Sequence, residues 1–228
     1  MNTPVLIYSS IRSGSTLLKA LLATRSDVTN LPEVDFNIAP ALAQYIPNKI
    51  TVFKKPNFKF NYPALPGNFD YKMIVLIRNP YDTILSIYKA FLETKPELTF
   101  NLTEEIMVEQ WSNLYEQINT KFYDTKNEKL VVLYEKLIQD PIGETNNLFE
   151  FIGSQNTKGV DTYCFPKNFQ WEWGRDDGGD TIKTLQVQNN LNKKRENSCL
   201  INAIKQNRKA QNLLQYYRYE KITPELFK

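Results

Sequence analysis

The sequence predicts an α/β fold of three layers, a parallel sheet with helices on both faces. Short apolar runs rich in β-branched residues alternate with segments of helical periodicity. One of these runs, KMIVLIR, is apolar almost throughout, as a strand must be when both of its faces are covered. Alternation of this kind implies parallel neighbours, which need crossover connections rather than tight hairpins.

The opening run VLIYSS stops at SIRSGS and gives way to TLLKALLAT, whose leucines and alanines suit a buried helix. ITVFKK is a second strand, ended by Pro56, and KMIVLIR a third. After it Asn79 serves as N-cap, Pro80 as first helical residue and Asp82 as an acid at the positive helix end. Ile84, Ile87, Tyr88 and Phe91 then recur at helical spacing. A longer helix follows Thr103, with Val108, Trp111, Tyr115, Ile118 and Phe122 on one apolar face. KLVVLYE is a fourth strand; Asp140 and Pro141 repeat the cap-then-proline signal, and Gly153 reads as a C-terminal stop. Leu200, Ile204 and Leu213 suggest a terminal helix packed on the core. NYPALPGNFD and FQWEWGRDDGGD read as loops, the second as cover for a site. With no internal repeat, one domain over residues 1–228 is the simplest organisation.

Composition narrows the chemistry. The chain has no histidine, which removes every imidazole base and every histidine-containing metal site. Proton abstraction therefore falls to a carboxylate, a lysine, a tyrosine or a thiolate. Cys164 and Cys199 lie far apart without CxxC spacing, a pattern of reduced structural thiols rather than of a disulfide framework or zinc site. A net charge of +3, spread along the chain, argues weakly for an anionic small ligand and hardly at all for nucleic acid. No apolar run approaches the roughly 20 residues that span a bilayer. MNTPVLIYSS lacks a charged region followed by a cleavable segment, so a cytoplasmic protein without membrane insertion is expected.

Two segments can carry chemistry. Arg12, Ser13, Gly14, Ser15 and Thr16 stand where the first strand turns into the first helix. There a glycine permits close backbone approach, the helix start offers N–H donors, and hydroxyls surround an arginine. Such a loop cradles phosphate or sulfate; the alternative is a serine-rich turn that caps a helix. A Walker A pattern is absent, since Gly14 is followed by Ser15 and Lys19 falls within the helix. In IVLIRNPYDTILSIYKAF, Arg78 ends a buried strand and Ser86 follows about two helical turns later. A guanidinium there can grip phosphate bidentately while the serine donates to the same group; otherwise Arg78 pairs with a carboxylate and Ser86 packs.

Taken together, YSSIRSGSTLLKALL and IVLIRNPYDTILSIYKAF resemble the sulfotransferase family, with its 5′-phosphosulfate loop and later 3′-phosphate motif. VVLYEKLIQDP and LFEFIG resemble the family's Tyr-Glu-x-Leu segment and its Phe-Ile/Leu-Gly helix end, and WGRDDGGDTIKTLQV its late cofactor-covering loop. The resemblance runs from about Val5 to about Val187; the tail beyond matches nothing usable. Ile11 replaces a common proline and Asn79 a common aspartate. The Arg-Ser-Gly-Ser form looks like the branch acting on carbohydrates, peptidyl tyrosine and bacterial metabolites, where a glutamate commonly serves as base.

What the resemblance implies is a P-loop NTPase-like fold and a sulfotransferase using 3′-phosphoadenosine 5′-phosphosulfate (PAPS), with adenosine 3′,5′-bisphosphate (PAP) as product and no metal. Glu33 of VTNLPEVDF occupies the place of the base, with Asp35 its nearest competitor. Lys54 of VFKKPNF fits Lys-x-Pro, while Lys55 directly precedes Pro56; strand alternation lets only one of them face a site, and Lys54 is the favoured one, to neutralise charge growing on the bridging oxygen. Arg12 joins these as a catalytic and donor-binding candidate, Arg78 and Ser86 would hold the 3′-phosphate, and Tyr134 and Lys183 are further contacts carried by resemblance. Trp171 and Trp173 could stack on adenine or on an acceptor ring. Two other readings share the anion loop: an ATP-using phosphotransferase, which calls for a loop lysine, and a non-catalytic nucleotide-binding protein. The acceptor, a hydroxyl or amine, is not legible, because loops build its pocket.

Overall fold

The computed structural model describes residues 2–31, 33–56, 69–94, 102–164, 180–191 and 195–227. Among these the strands are β1 (Thr3–Ser9), β2 (Val28–Asn30), β3 (Ile50–Lys54), β4 (Lys72–Ile77) and β5 (Lys129–Leu133). The helices are α1 (Ser15–Leu22), α2 (Ala39–Tyr45), α3 (Pro80–Thr94), α4 (Glu104–Asp124), α5 (Tyr134–Gln139), α6 (Pro141–Ile152), α7 (Asp180–Lys183), α8 (Ser198–Gln206) and α9 (Arg208–Tyr216). The strands form one parallel sheet in the order β2-β3-β1-β4-β5. β1 lies at its centre, pairing with β3 from Thr3–Ile50 to Ile7–Lys54 and with β4 from Val5–Lys72 to Ser9–Leu76. Ligands of such sheets gather where the strand order reverses, here at the carboxyl end of β1.

Successive side chains on a strand point to opposite faces, and both faces here are apolar. Leu6, Tyr8, Phe53, Met73, Val75, Ile77 and Leu133 pack with α3, α4, α8 and α9. Val5, Ile7, Val52, Ile74, Leu76 and Val132 pack with α1, α5 and α6 on the other side. That double burial explains the unbroken apolar run of β4 and gives the three layers expected.

The four expected strands are present, and three expected caps hold. Asn79 Oδ1 accepts from the Asp82 N–H at 2.8 Å, Asp140 Oδ1 accepts from the Gly143 N–H at 3.0 Å, and Gly153 ends α6 at φ 79°. β2 was not expected: three residues are too few to display a period. The anticipated terminal helix is two, α8 and α9. Asn207 stands between them, and its side chain caps α9 by accepting from the Ala210 N–H at 2.9 Å. Leu200, Ile204 and Leu213 are buried as expected. Cys164 and Cys199 are free but exposed, so the structural-thiol reading is corrected: neither packs in the core. Most of NYPALPGNFD, and all of FQWEWGRDDGGD before Asp180, lie outside the described residues. No described helix is long and apolar enough to cross a membrane.

Tyr115 of α4 ties this layer to the sheet. Fully buried, it donates to Leu76 O at 3.0 Å and accepts from the Ser10 N–H at 3.3 Å, and burial pushes its phenol up to about 12. Tyr115→Phe strands two buried backbone groups and should cost about 1–3 kcal/mol. Urea unfolding checks this; an unchanged midpoint would refute the tie.

Candidate active site

At the carboxyl end of β1 the chain folds into a tight loop with two residues in left-handed conformation, Arg12 at φ 61° and Gly14 at φ 92°. Ser13, buried, donates from Oγ to Ser10 O at 2.7 Å and closes the loop. Gly14 is the N-cap of α1, so the first N–H groups of that helix open onto the strand end. A Cβ on Gly14 would lie 2.3 Å from Cδ2 of Tyr134, a second reason that only glycine fits. Ser15 and Thr16 follow, both buried.

Around this loop the structure gathers most of the expected residues. Arg12 Nε donates to Ser86 Oγ on α3 at 3.1 Å. Arg78, just past β4, donates from Nη1 to Arg12 O at 3.0 Å, and its guanidinium lies 4.7 Å over the Tyr134 ring. Its Nε is buried without a hydrogen-bond partner among the described residues. Burial raises the Tyr134 phenol pKa, and the charge of Arg78 pulls it back.

On the other side of β1, Lys54 ends β3 with its side chain only 3% exposed. Its Nζ donates to Thr16 Oγ1 at 2.7 Å and pairs with Glu33 Oε1 at 2.6 Å. Lys55 turns outward to an exposed pairing with Asp35. Strand alternation thus separates the two lysines, and each selects one of the two candidate carboxylates. Glu33 is half-exposed, reachable from solvent on one side and held by Lys54 on the other. Lys183 is exposed at the end of α7, an element tethered by the Tyr163 hydroxyl, which donates to Ile182 O at 2.9 Å. Trp171 and Trp173 lie outside the described residues.

Two residues near the site escaped sequence reasoning. Lys19, buried in α1, donates from Nζ to Leu31 O at 2.5 Å and so anchors the segment leading to Glu33. Its only signal was a charge amid leucines. Glu135, one residue past Tyr134, is buried and accepts from Asn79 and Tyr219. It lay inside a motif already singled out, but its partners are distant in sequence.

The family model for the sulfotransferase domain matches residues 2–212. This chain belongs to the sulfotransferase family. The match extends past Val187 into α9, so the tail expected to match nothing is largely part of the family domain. The sulfotransferase superposes on the sulfotransferase domain from the curacin biosynthetic pathway with a TM-score of 0.55 at 18% identity, covering 96% of this chain and 99% of that one. Against the sulfotransferase domain from the Synechococcus PCC 7002 olefin synthase the TM-score is 0.52 at 17% identity, covering 96% and 95%. At these identities the likeness carries the fold, the P-loop NTPase-like α/β arrangement. Among curated proteins nothing matches.

The sulfotransferase's loop makes a direct prediction. Gly14→Ala forces an L-residue into left-handed backbone against the Tyr134 ring and should destabilise by about 1–3 kcal/mol. Thermal and urea unfolding should both show the loss; an alanine protein as stable as the parent would remove the close-approach account.

Proposed function

We propose that this sulfotransferase takes its sulfuryl group from PAPS and delivers it to an acceptor hydroxyl or amine, with Glu33 as general base. The observation carrying the reading is the bridge formed by Lys54, whose one ammonium touches both Glu33 and Thr16 at the start of α1. Base, lysine and anion loop form one hydrogen-bonded unit.

The residues fit a nucleotide with charge at both ends. Gly14 lets the loop close against the Tyr134 ring at the start of α1, and the donor set around the loop is cationic or hydroxylic. Arg12, Ser13, Gly14, Ser15 and Thr16 are assigned to the 5′-phosphosulfate, Arg78 and Ser86 to the 3′-phosphate, with Tyr134 and Lys183 as further contacts. The Nε of Arg78, buried and without a hydrogen-bond partner among the described residues, is a donor suited to such an anion. PAPS, when bound, supplies a sulfuryl group on a good leaving group.

Glu33 takes the acceptor's proton. Once protonated it no longer offers Lys54 a full negative charge, so the ammonium is free to favour charge growing on the leaving side. Coupling of this kind acts in the transition state more than in the ground state. Arginine, lysine and helix-end N–H groups supply the electrostatics, and no metal enters the reading. The phosphotransferase alternative calls for a lysine within the loop, which the sequence lacks.

Calorimetric titration with PAP, compared with ADP plus Mg²⁺, tests the donor assignment. The expected result is a preference for PAP that Arg78→Ala abolishes; binding of ADP with Mg²⁺ alone would sink it. Glu33→Gln should keep PAP affinity within about twofold while turnover on acceptors from a sugar, phenol and alcohol panel falls by about 10²-fold or more. Retention of most turnover would remove Glu33 as base.

A further inference from the structure

Behind the donor site lies a buried polar cluster that the proposed chemistry does not use. Its centre is Glu135, 1% exposed and hence out of reach of an acceptor. One carboxylate oxygen accepts from the Asn79 backbone N–H at 2.9 Å and from Asn79 Nδ2 at 2.6 Å; the other accepts from the Tyr219 hydroxyl at 2.7 Å. Tyr219 is fully buried, and its hydroxyl also lies 3.3 Å from Ile77 O at the end of β4. Burial, then the charge of Glu135, push the Tyr219 phenol well above its ordinary value, so it remains a donor.

A second arm reaches the same place. Asn79 Nδ2 also donates to Asp82 Oδ2 at 2.7 Å, and that oxygen accepts from Arg195 Nη2 at 2.9 Å. Arg195 pairs as well with Glu225 near the end of the described chain. The amide of Asn79 thus bridges two carboxylates, which explains why the aspartate commoner in this turn would be ill-suited here. It would place a third carboxylate against Glu135 and Asp82.

Burying a carboxylate costs several kcal/mol unless donors surround it, so such a cluster must hold something in place. What it holds is adjacent in sequence: Asn79 follows Arg78, and Glu135 follows Tyr134. Arg78 and Tyr134 are the stacked pair beneath the loop, and the Arg78 guanidinium makes a single hydrogen bond among the described residues. Its direction is set by that bond, by the Tyr134 ring and by the backbone turn that Asn79 and Glu135 fix.

We propose that Tyr219 and Arg195, acting through Glu135 and Asn79, are positioning residues that aim Arg78 and thereby set the preference for a 3′-phosphorylated nucleotide. This rests on the assignment of Arg78 to the 3′-phosphate. The C-terminal segment is then part of the donor site without touching the donor.

The test is a pair of dissociation constants, for PAP and for ADP, measured on the parent protein, Tyr219→Phe and Tyr217→Phe. Tyr217 lies on the same segment, but its hydroxyl goes to Asn119, away from Asn79. Tyr219→Phe should weaken PAP by about tenfold, the worth of one hydrogen bond to a charged group, while ADP changes less than about twofold. Tyr217→Phe should leave the ratio unchanged. If Tyr219→Phe keeps the parental ratio, or loses both nucleotides in equal proportion, the positioning role is overturned. A parent protein without preference for PAP overturns the Arg78 assignment and this inference with it. Should Tyr219→Phe fail to fold, Arg195→Met cuts the other arm and is read by the same ratio.

Discussion

Like charges brought close together repel, and this fold brings three cations to one short loop. Arg12 lies in the loop, Arg78 donates to the Arg12 carbonyl, and Lys54 reaches Thr16 at the loop's far end. Only an anion, or fixed carboxylates nearby, makes that arrangement tolerable. Glu33 provides the second for Lys54. Glu33 stands half-exposed against Lys54, and Glu135 lies buried behind the turn that carries Arg78. The difference in exposure suits the roles proposed for them: a carboxylate that solvent reaches can exchange a proton with an acceptor, whereas a sealed one can only hold geometry.

The sheet was legible in the sequence because burial on both faces leaves its mark as unbroken apolar runs, most clearly in β4. Caps were legible as well, since Asn79 and Asp140 act on N–H groups three residues away. Short-range chemistry leaves short-range signals. β2 was lost because three residues carry no period, and the division between α8 and α9 because Asn207 interrupts an otherwise continuous apolar stripe. The loop and the Arg78 turn could be found as motifs, but what supports them could not. Tyr219 meets Glu135 across 84 residues, and Lys19 meets a backbone carbonyl that any residue would provide. Nothing local in the chain marks either pairing.

The choice between Lys54 and Lys55 lies between these extremes. Alternation along a strand says that one lysine faces inward but not which one, and the answer depends on the pairing of β3 with β1. In the observed register Lys54 stands opposite Ile7. A slip of one residue would exchange the faces, send Lys55 towards Thr16 and turn Lys54 outward. The apolar side chains that resist such a slip are Val52 and Phe53, which pack on opposite faces of the sheet and are both fully buried. A phosphate loop of the Walker kind carries its lysine within the loop, so its charge moves with the backbone that binds the anion. Here the lysine comes from the neighbouring strand, and strand register decides where its charge falls. The packing of Val52 and Phe53 thereby becomes a condition for placing Lys54 beside Glu33.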